Sequence, residues 1–168
     1  MNLIIVRHAI AEDREDFAKK NLEDSLRPLT PKGRKKMIKM LDWMASHLDE
    51  VDMIVTSPYL RSVQTAEIIQ SRFDKVEIEQ ASELVPHSPA LPLMKWLKAH
   101  ARDKKNVVVV GHDPHLSLFL SALLCSKNES FIDLKKSGIA AVEIPSLMEI
   151  ETTQSRLLWL VQPKLILD

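Results

Sequence analysis

The chain has 168 residues, 45% of them hydrophobic and 27% charged, with 23 basic against 23 acidic side chains. That length suits one domain over residues 1–168, burying about two-thirds of its unfolded surface on folding, and the balanced charge argues against a dedicated nucleic-acid binder. The lone cysteine, Cys125, excludes an internal disulfide and a thiolate zinc cluster, while no apolar run nears the ~20 residues of a membrane span.

Residues 3–6, Leu-Ile-Ile-Val, are short, β-branched and apolar on both faces, which predicts a buried strand. Arg7 then ends the apolar run too soon for a signal-peptide core, so a cytoplasmic protein is expected. Residues 31–48 place Met37, Met40, Leu41, Met44 and Leu48 at spacings of 3 and 4, predicting a helix with one apolar face. Thr30-Pro31 supplies its cap and first residue, and Arg34, Lys35, Lys36 and Lys39 form its solvated side. Residues 53–56 predict a second strand. Ser57-Pro58 then opens a helix over 59–73 with Leu60, Val63, Ala66, Ile69 and Phe73 inward.

A third strand is expected over 76–79, and a helix over 89–101 carries Leu93, Trp96, Leu97 and His100 on one side. The four valines of 107–110 predict a central strand. Asp113-Pro114 caps a mostly buried helix over 115–125, in which Cys125 is expected to be a buried structural thiol. Residues 139–144 and 157–161 read as a terminal strand pair, the second antiparallel to its neighbour. Strands apolar on both faces alternating with helices predict a three-layer α/β/α sandwich with a mostly parallel sheet and an antiparallel edge strand.

Arg7, His8, Arg61 and His112 belong to three separate strand-to-helix junctions. Where open α/β sheets gather such junctions, they bind ligands, and helix N-termini there favour anions. Guanidinium groups match a phosphoryl group in bidentate geometry and stay charged. Neutral imidazole is a nitrogen nucleophile. Singly, each residue reads as a surface charge or a packed histidine; together they predict phosphoryl transfer through a phosphohistidine. His112 and His115 are spaced i, i+3, but the carboxylate between them, Asp113, is assigned to the cap, so no metal is expected. His47, His87 and His100 are assigned structural roles. The dispersed Trp43, Trp96 and Trp159 are assigned to core or groove wall. Three glycines without a Gly-x-Gly-x-x-Gly loop exclude a dinucleotide fingerprint.

The stretch Leu3-Ile4-Ile5-Val6-Arg7-His8-Ala9 resembles the Arg-His-Gly signature of the histidine phosphatase superfamily, with its phosphoglycerate mutase-like fold. Residues 56–66, from Thr56-Ser57-Pro58 through Arg61 to Thr65-Ala66, resemble its second arginine motif, and Val110-Gly111-His112 the segment of its second histidine. Residues 25–33, 82–86, 111–116, 137–141 and 159–163 are similar to the small SixA-type phosphohistidine phosphatases. The resemblance implies that His8 attacks phosphorus and is transiently phosphorylated while Arg7, Arg61 and His112 hold the oxygens, without metal or other cofactor. It implies a phosphohistidine-bearing protein of phosphorelay or phosphotransfer type as partner to a monomeric enzyme.

Ala9 replaces the signature glycine, and a methyl group is small enough for the pocket to survive. Glu83 lies where larger relatives carry a general acid; it reads first as a solvated loop carboxylate. A site without a strong acid favours P–N over P–O cleavage, because a phosphorylated imidazole protonated on its other nitrogen leaves as neutral imidazole. Two other readings stand beside this one: a small-molecule phosphomonoesterase, favoured if Glu83 is the acid, and a non-catalytic module that binds phosphorylated partners.

Overall fold

The protein is described from a computed structural model that covers residues 1–73, 75–127, 129–148 and 155–166. Among the described residues six strands form one sheet: β1 (Asn2–Arg7), β2 (Met53–Thr56), β3 (Ile78–Gln80), β4 (Asn106–Gly111), β5 (Ile139–Glu143) and β6 (Arg156–Val161), in the order β3-β2-β4-β1-β5-β6. β3, β2, β4 and β1 are parallel. β5 runs antiparallel to β1, and β6, at the edge, antiparallel to β5. The helices are α1 (Arg14–Ala18), α2 (Pro31–Ala45), α3 (Leu60–Gln70), α4 (Ala90–His100) and α5 (His115–Cys125).

Alternation along each strand builds two cores. Leu3 and Ile5 of β1 point with Val107 and Val109 into one, closed by Leu93 and Leu97 of α4 and Leu116, Phe119 and Leu120 of α5. Ile4 and Val6 point with Val108 and Val110 into the other, closed by Met37, Met40 and Met44 of α2 and Ala66 and Ile69 of α3. The fold is therefore the three-layer α/β/α sandwich, and the all-apolar central strands are its direct cause.

The expected elements form, with shifted ends. α2 stops at Ala45, where Ser46 and His47 both bond the Trp43 carbonyl. α3 is shorter at both ends than 59–73. The third strand lies two residues later at its start, because its register with β2 pairs Ile54 with Ile78, while Val76 packs into the core from the loop. Residues 10–29 carry no apolar stripe of either period, so the sequence predicts neither α1 nor the 3₁₀ turn Asp24–Leu26 that form within them. Cys125 is exposed rather than buried: it follows the partly buried Leu118 and Ala122 at i+7 and i+3 along the outer stripe of α5.

Thr30 caps α2 as expected, its Oγ1 accepting from the Gly33 N–H at 2.9 Å. Gly33 also lets the helix start lie against the chain just beyond β1: a Cβ there would stand 2.1 Å from the Ile10 carbonyl oxygen. We predict that Gly33→Ala, which forces backbone from backbone, costs about 2 kcal/mol or more, and Thr30→Ala about 1 kcal/mol. Urea denaturation of both variants checks this; a Gly33→Ala midpoint equal to that of the native protein would contradict it.

Candidate active site

Val6 and Thr56 both stand in register with Val110, so β1, β2 and β4 end together and release His8, Ser57 and His112 at one edge. The His8 N–H donates to the Gly111 carbonyl at 2.9 Å, and the Ser57 N–H to the Val110 carbonyl at 3.0 Å. The rings of His8 and His112 meet edge to face, centroids 5.0 Å apart. Arg7 ends β1 and Arg61 lies in the first turn of α3. All four predicted site residues thus line one cavity of about 480 Å³, together with Arg27 and Lys136.

His8 is 6% exposed. Its Nδ1 lies 2.7 Å from the Ala9 carbonyl oxygen, which can only accept, so the proton is on Nδ1 and the lone pair is on Nε2. Arg61 Nε donates to that Nε2 at 3.3 Å. Burial strips the imidazolium of water and lowers the pKa to about 3; the Ala9 bond opposes this, and Arg61, Arg7 and Lys136 reinforce it. The ring is neutral, with a lone pair on Nε2 of the kind a nitrogen nucleophile needs. His112 is lowered to about 2, again chiefly by burial, then by His8 and Arg61. Its Nε2 meets the hydroxyls of Ser57 at 2.9 Å and Ser62 at 3.3 Å. A hydroxyl can donate to this nitrogen or accept from it, so the contacts fix the ring's orientation and not its tautomer; Nδ1 has no partner among the described residues.

Arg61 is 2% exposed. Its Nη1 donates to the Asp24 carbonyl at 2.8 Å, its Nη2 lies 3.1 Å from the Asp24 carboxylate, and its guanidinium stands over the Tyr59 ring. Arg7 Nη1 donates to the Leu134 carbonyl at 2.6 Å and to Asp113 Oδ2 at 3.3 Å, while its buried Nε has no acceptor among the described residues. Arg7 Nε and His112 Nδ1 are thus buried without a partner among the described residues, beside a cavity whose wall carries more cations than carboxylates, and guanidinium groups in such a wall suit a tetrahedral oxyanion.

Residues 3–85 match the histidine phosphatase superfamily (branch 1). An uncharacterized protein of Picosynechococcus sp. is 33% identical over 171 residues, 99% of each chain. The chain belongs to the histidine phosphatase superfamily. Within it the likeness is to the SixA type: Escherichia coli phosphohistidine phosphatase SixA is 28% identical over 130 residues, 74% of each chain. A structure of the protein histidine phosphatase SixA complexed with tungstate superposes with a TM-score of 0.82 over 98% of each chain, at 24% identity. The fold is shared more widely, as with a structure of the α-ribazole phosphatase from Shigella flexneri (TM-score 0.69, 17% identity, 97% of each chain). The protein is accordingly a phosphatase, a hydrolase of phosphoryl groups.

In this histidine phosphatase two residues assigned to helix caps serve the site instead. Ser57 holds His112, and α3 begins three residues later at Leu60 with no side-chain cap bond. Asp113 accepts from Arg7 and, at 2.5 Å, from Ser117 Oγ, and α5 begins at His115. His115 is fully buried, ring-stacked toward Phe119, and takes no part in the cavity. His47 and His100 each donate from Nδ1 to the carbonyl four residues back, at 2.9 Å, as helix-end residues. Glu83 accepts from the neighbouring Ser82 hydroxyl and is not among the residues lining the cavity. Ala9 has no positive φ; its N–H donates to Thr65 Oγ1 at 3.1 Å and its methyl packs in the core, so a residue with Cβ fits where the signature has glycine.

Asp24 and Arg27 went unassigned in the sequence. Asp24 lies 2.8 Å from Arg27 Nε, 3.1 Å from Arg61 Nη2 and 3.7 Å from Arg14 Nε. Burial works against its charge, but the Arg27 bond and the surrounding guanidinium groups outweigh it and hold the carboxyl below its ordinary range. Arg27, 7% exposed, also donates to the Glu12 carbonyl at 2.7 Å. The one signal for either was the position of Arg27 inside the 25–33 segment; no periodicity marks Asp24.

Histidines held neutral when folded but titrating near 6.5 when unfolded make the unfolded state bind more protons, so stability falls as pH drops through 6.5. At pH 5 the loss is about 2 kcal/mol for each of His8 and His112, in a window above the titration of the lowered Asp13 and Asp24. Urea midpoints measured from pH 7.5 to 5 should fall steadily; a flat profile would mean that the histidines are already charged in the folded protein.

Proposed function

We propose that the chain acts as one domain that hydrolyses phosphohistidine on a partner protein through a covalent phospho-His8 intermediate. His8 Nε2 attacks phosphorus, and the P–N bond to the substrate imidazole breaks with its electron pair returning to that ring. Arg7, Arg61 and His112 Nδ1 hold the three phosphoryl oxygens and the charge that builds on them. Throughout, the Ala9 carbonyl keeps Nδ1 of His8 protonated, so phospho-His8 is an imidazolium, a good leaving group. Water then forms the new P–O bond, the P–Nε2 pair returns to His8, and the water's proton goes to phosphate.

The observation that carries the choice of P–N substrate is the state of the carboxylates. Glu83 stands off the cavity. Of those lining it, Glu12 pairs with Lys20 at 2.6 Å, Asp13 accepts from the N–H groups of Glu15 and Asp16, and Asp113 accepts from Arg7 and Ser117. The backbone bonds to Asp13 hold its carboxyl below the ordinary range. Among the described residues a leaving alkoxide would find no carboxylic acid ready to protonate it, whereas imidazole brings its own proton. The likeness to SixA proteins supports the same reading, and tungstate bound to one of them is a tetrahedral oxyanion like the transferred group. No described helix is long and apolar enough to cross a membrane, in keeping with a cytoplasmic role in a phosphorelay or phosphotransfer system.

Rapid-quench labelling with a phosphohistidine protein as donor should trap an acid-labile phosphoenzyme that is absent in His8→Ala. Turnover of the phosphohistidine donor should exceed that of an alkyl phosphate by about 100-fold or more, general acid assistance being worth that much to an ester, and Glu83→Gln should leave both rates within twofold. Efficient ester turnover lost selectively in Glu83→Gln would establish the phosphomonoesterase reading instead. A labelled band persisting in His8→Ala would refute the covalent mechanism, and tight binding without turnover would make the protein a phosphoprotein-binding module.

A further inference from the structure

Lys136 is the one cation lining the cavity that has no carboxylate within ion-pair distance among the described residues. Arg7 is paired with Asp113, and Arg14, Arg27 and Arg61 converge on Asp24, while the adjacent Lys135 turns outward to Asp133. The loop that carries Lys136 is fastened to the nucleophile's own backbone: the Ser137 N–H lies 3.1 Å from the Arg7 carbonyl and 3.2 Å from that of His8, and the Arg7 N–H donates to Gly138 at 3.1 Å. To make this turn Ser137 takes φ 65, the left-handed region that a side chain disfavours. Lys136 is thereby held beside His8, whose imidazolium it helps to disfavour.

We propose that Lys136 is a substrate-binding residue whose ammonium takes a phosphoryl oxygen directly, as a third cation beside Arg7 and Arg61. An unpaired cation among guanidinium groups is held at a cost, and an incoming dianion is the partner that relieves it. The cavity wall carries five cations against three carboxylates, an excess that a phosphoryl dianion neutralises. Burial, then Arg7, Arg27 and Arg61, lower the Lys136 pKa, with Asp13 opposing them, so its contribution fades at a lower pH than that of an ordinary lysine.

The inference rests on an oxyanion occupying this cavity and is tested without turnover, so it stands or falls separately from the phosphohistidine substrate. The probe is tungstate, titrated calorimetrically into the full chain. Lys136→Met should weaken binding about tenfold, as for the loss of one charge-assisted hydrogen bond; Lys136→Arg should restore it to within about threefold; Lys135→Met should leave it unchanged. Between pH 8 and 10 the native protein should lose affinity relative to Lys136→Arg, a difference that a purely structural lysine would not produce. Equal affinities for Lys136→Met and native protein, or equal losses in Lys135→Met and Lys136→Met, would overturn the proposal.

Discussion

The structure turns on keeping one imidazole, His8, uncharged inside a ring of cations, and the same burial that packs the cavity does this; it is the state that the proposed attack on phosphorus requires. His8 is packed until its charged form is unaffordable, and the guanidinium groups of Arg61 and Arg7 push it further the same way. The bond from Nδ1 to the Ala9 carbonyl then decides which nitrogen is free. Had the proton sat on Nε2, the donor Arg61 Nε and the ring would have met hydrogen to hydrogen. Tautomer, ring orientation and charge state follow from one short contact between neighbouring residues and the layer of structure over it.

Burying several guanidinium groups side by side requires a counter-charge that does not compete for the ligand. Asp24 provides it from behind: one carboxylate reaches Arg14, Arg27 and Arg61, and its backbone carbonyl takes a further bond from Arg61. The arginines are thereby fixed in orientation, as bidentate recognition of an oxyanion needs. Arg7 obeys the same rule, with Asp113 and the Leu134 carbonyl on one side and an unpartnered Nε on the other.

Polar residues at the strand ends are drawn into this arrangement ahead of local duties. Ser57 and Asp113 precede prolines in patterns that would cap helices, yet the first orients His112 and the second Arg7. Thr30, placed away from the reacting groups, keeps its cap. The contrast is one of competition: a side chain near a buried imidazole or guanidinium satisfies a group that water cannot reach, whereas a helix N-terminus can be hydrated.

The strands, the main helices and the gathering of Arg7, His8, Arg61 and His112 at one cavity were legible in the sequence, because apolar periodicity reports which faces are buried and because strand-end residues of a parallel sheet share one edge. Arg7, His8, Arg61 and His112 could be gathered on that ground alone. The sequence could not place Asp24, Arg27 or Lys136, which come from loops without periodicity, nor the outward turn of Cys125. It assigned Ser57 and Asp113 to caps where the fold turns them to His112 and Arg7, while its first reading of Glu83 as a solvated loop carboxylate agrees with a side chain off the cavity. Those choices depend on which groups meet across tens of residues, and on how far burial shifts their charge, and only the folded chain brings these terms together.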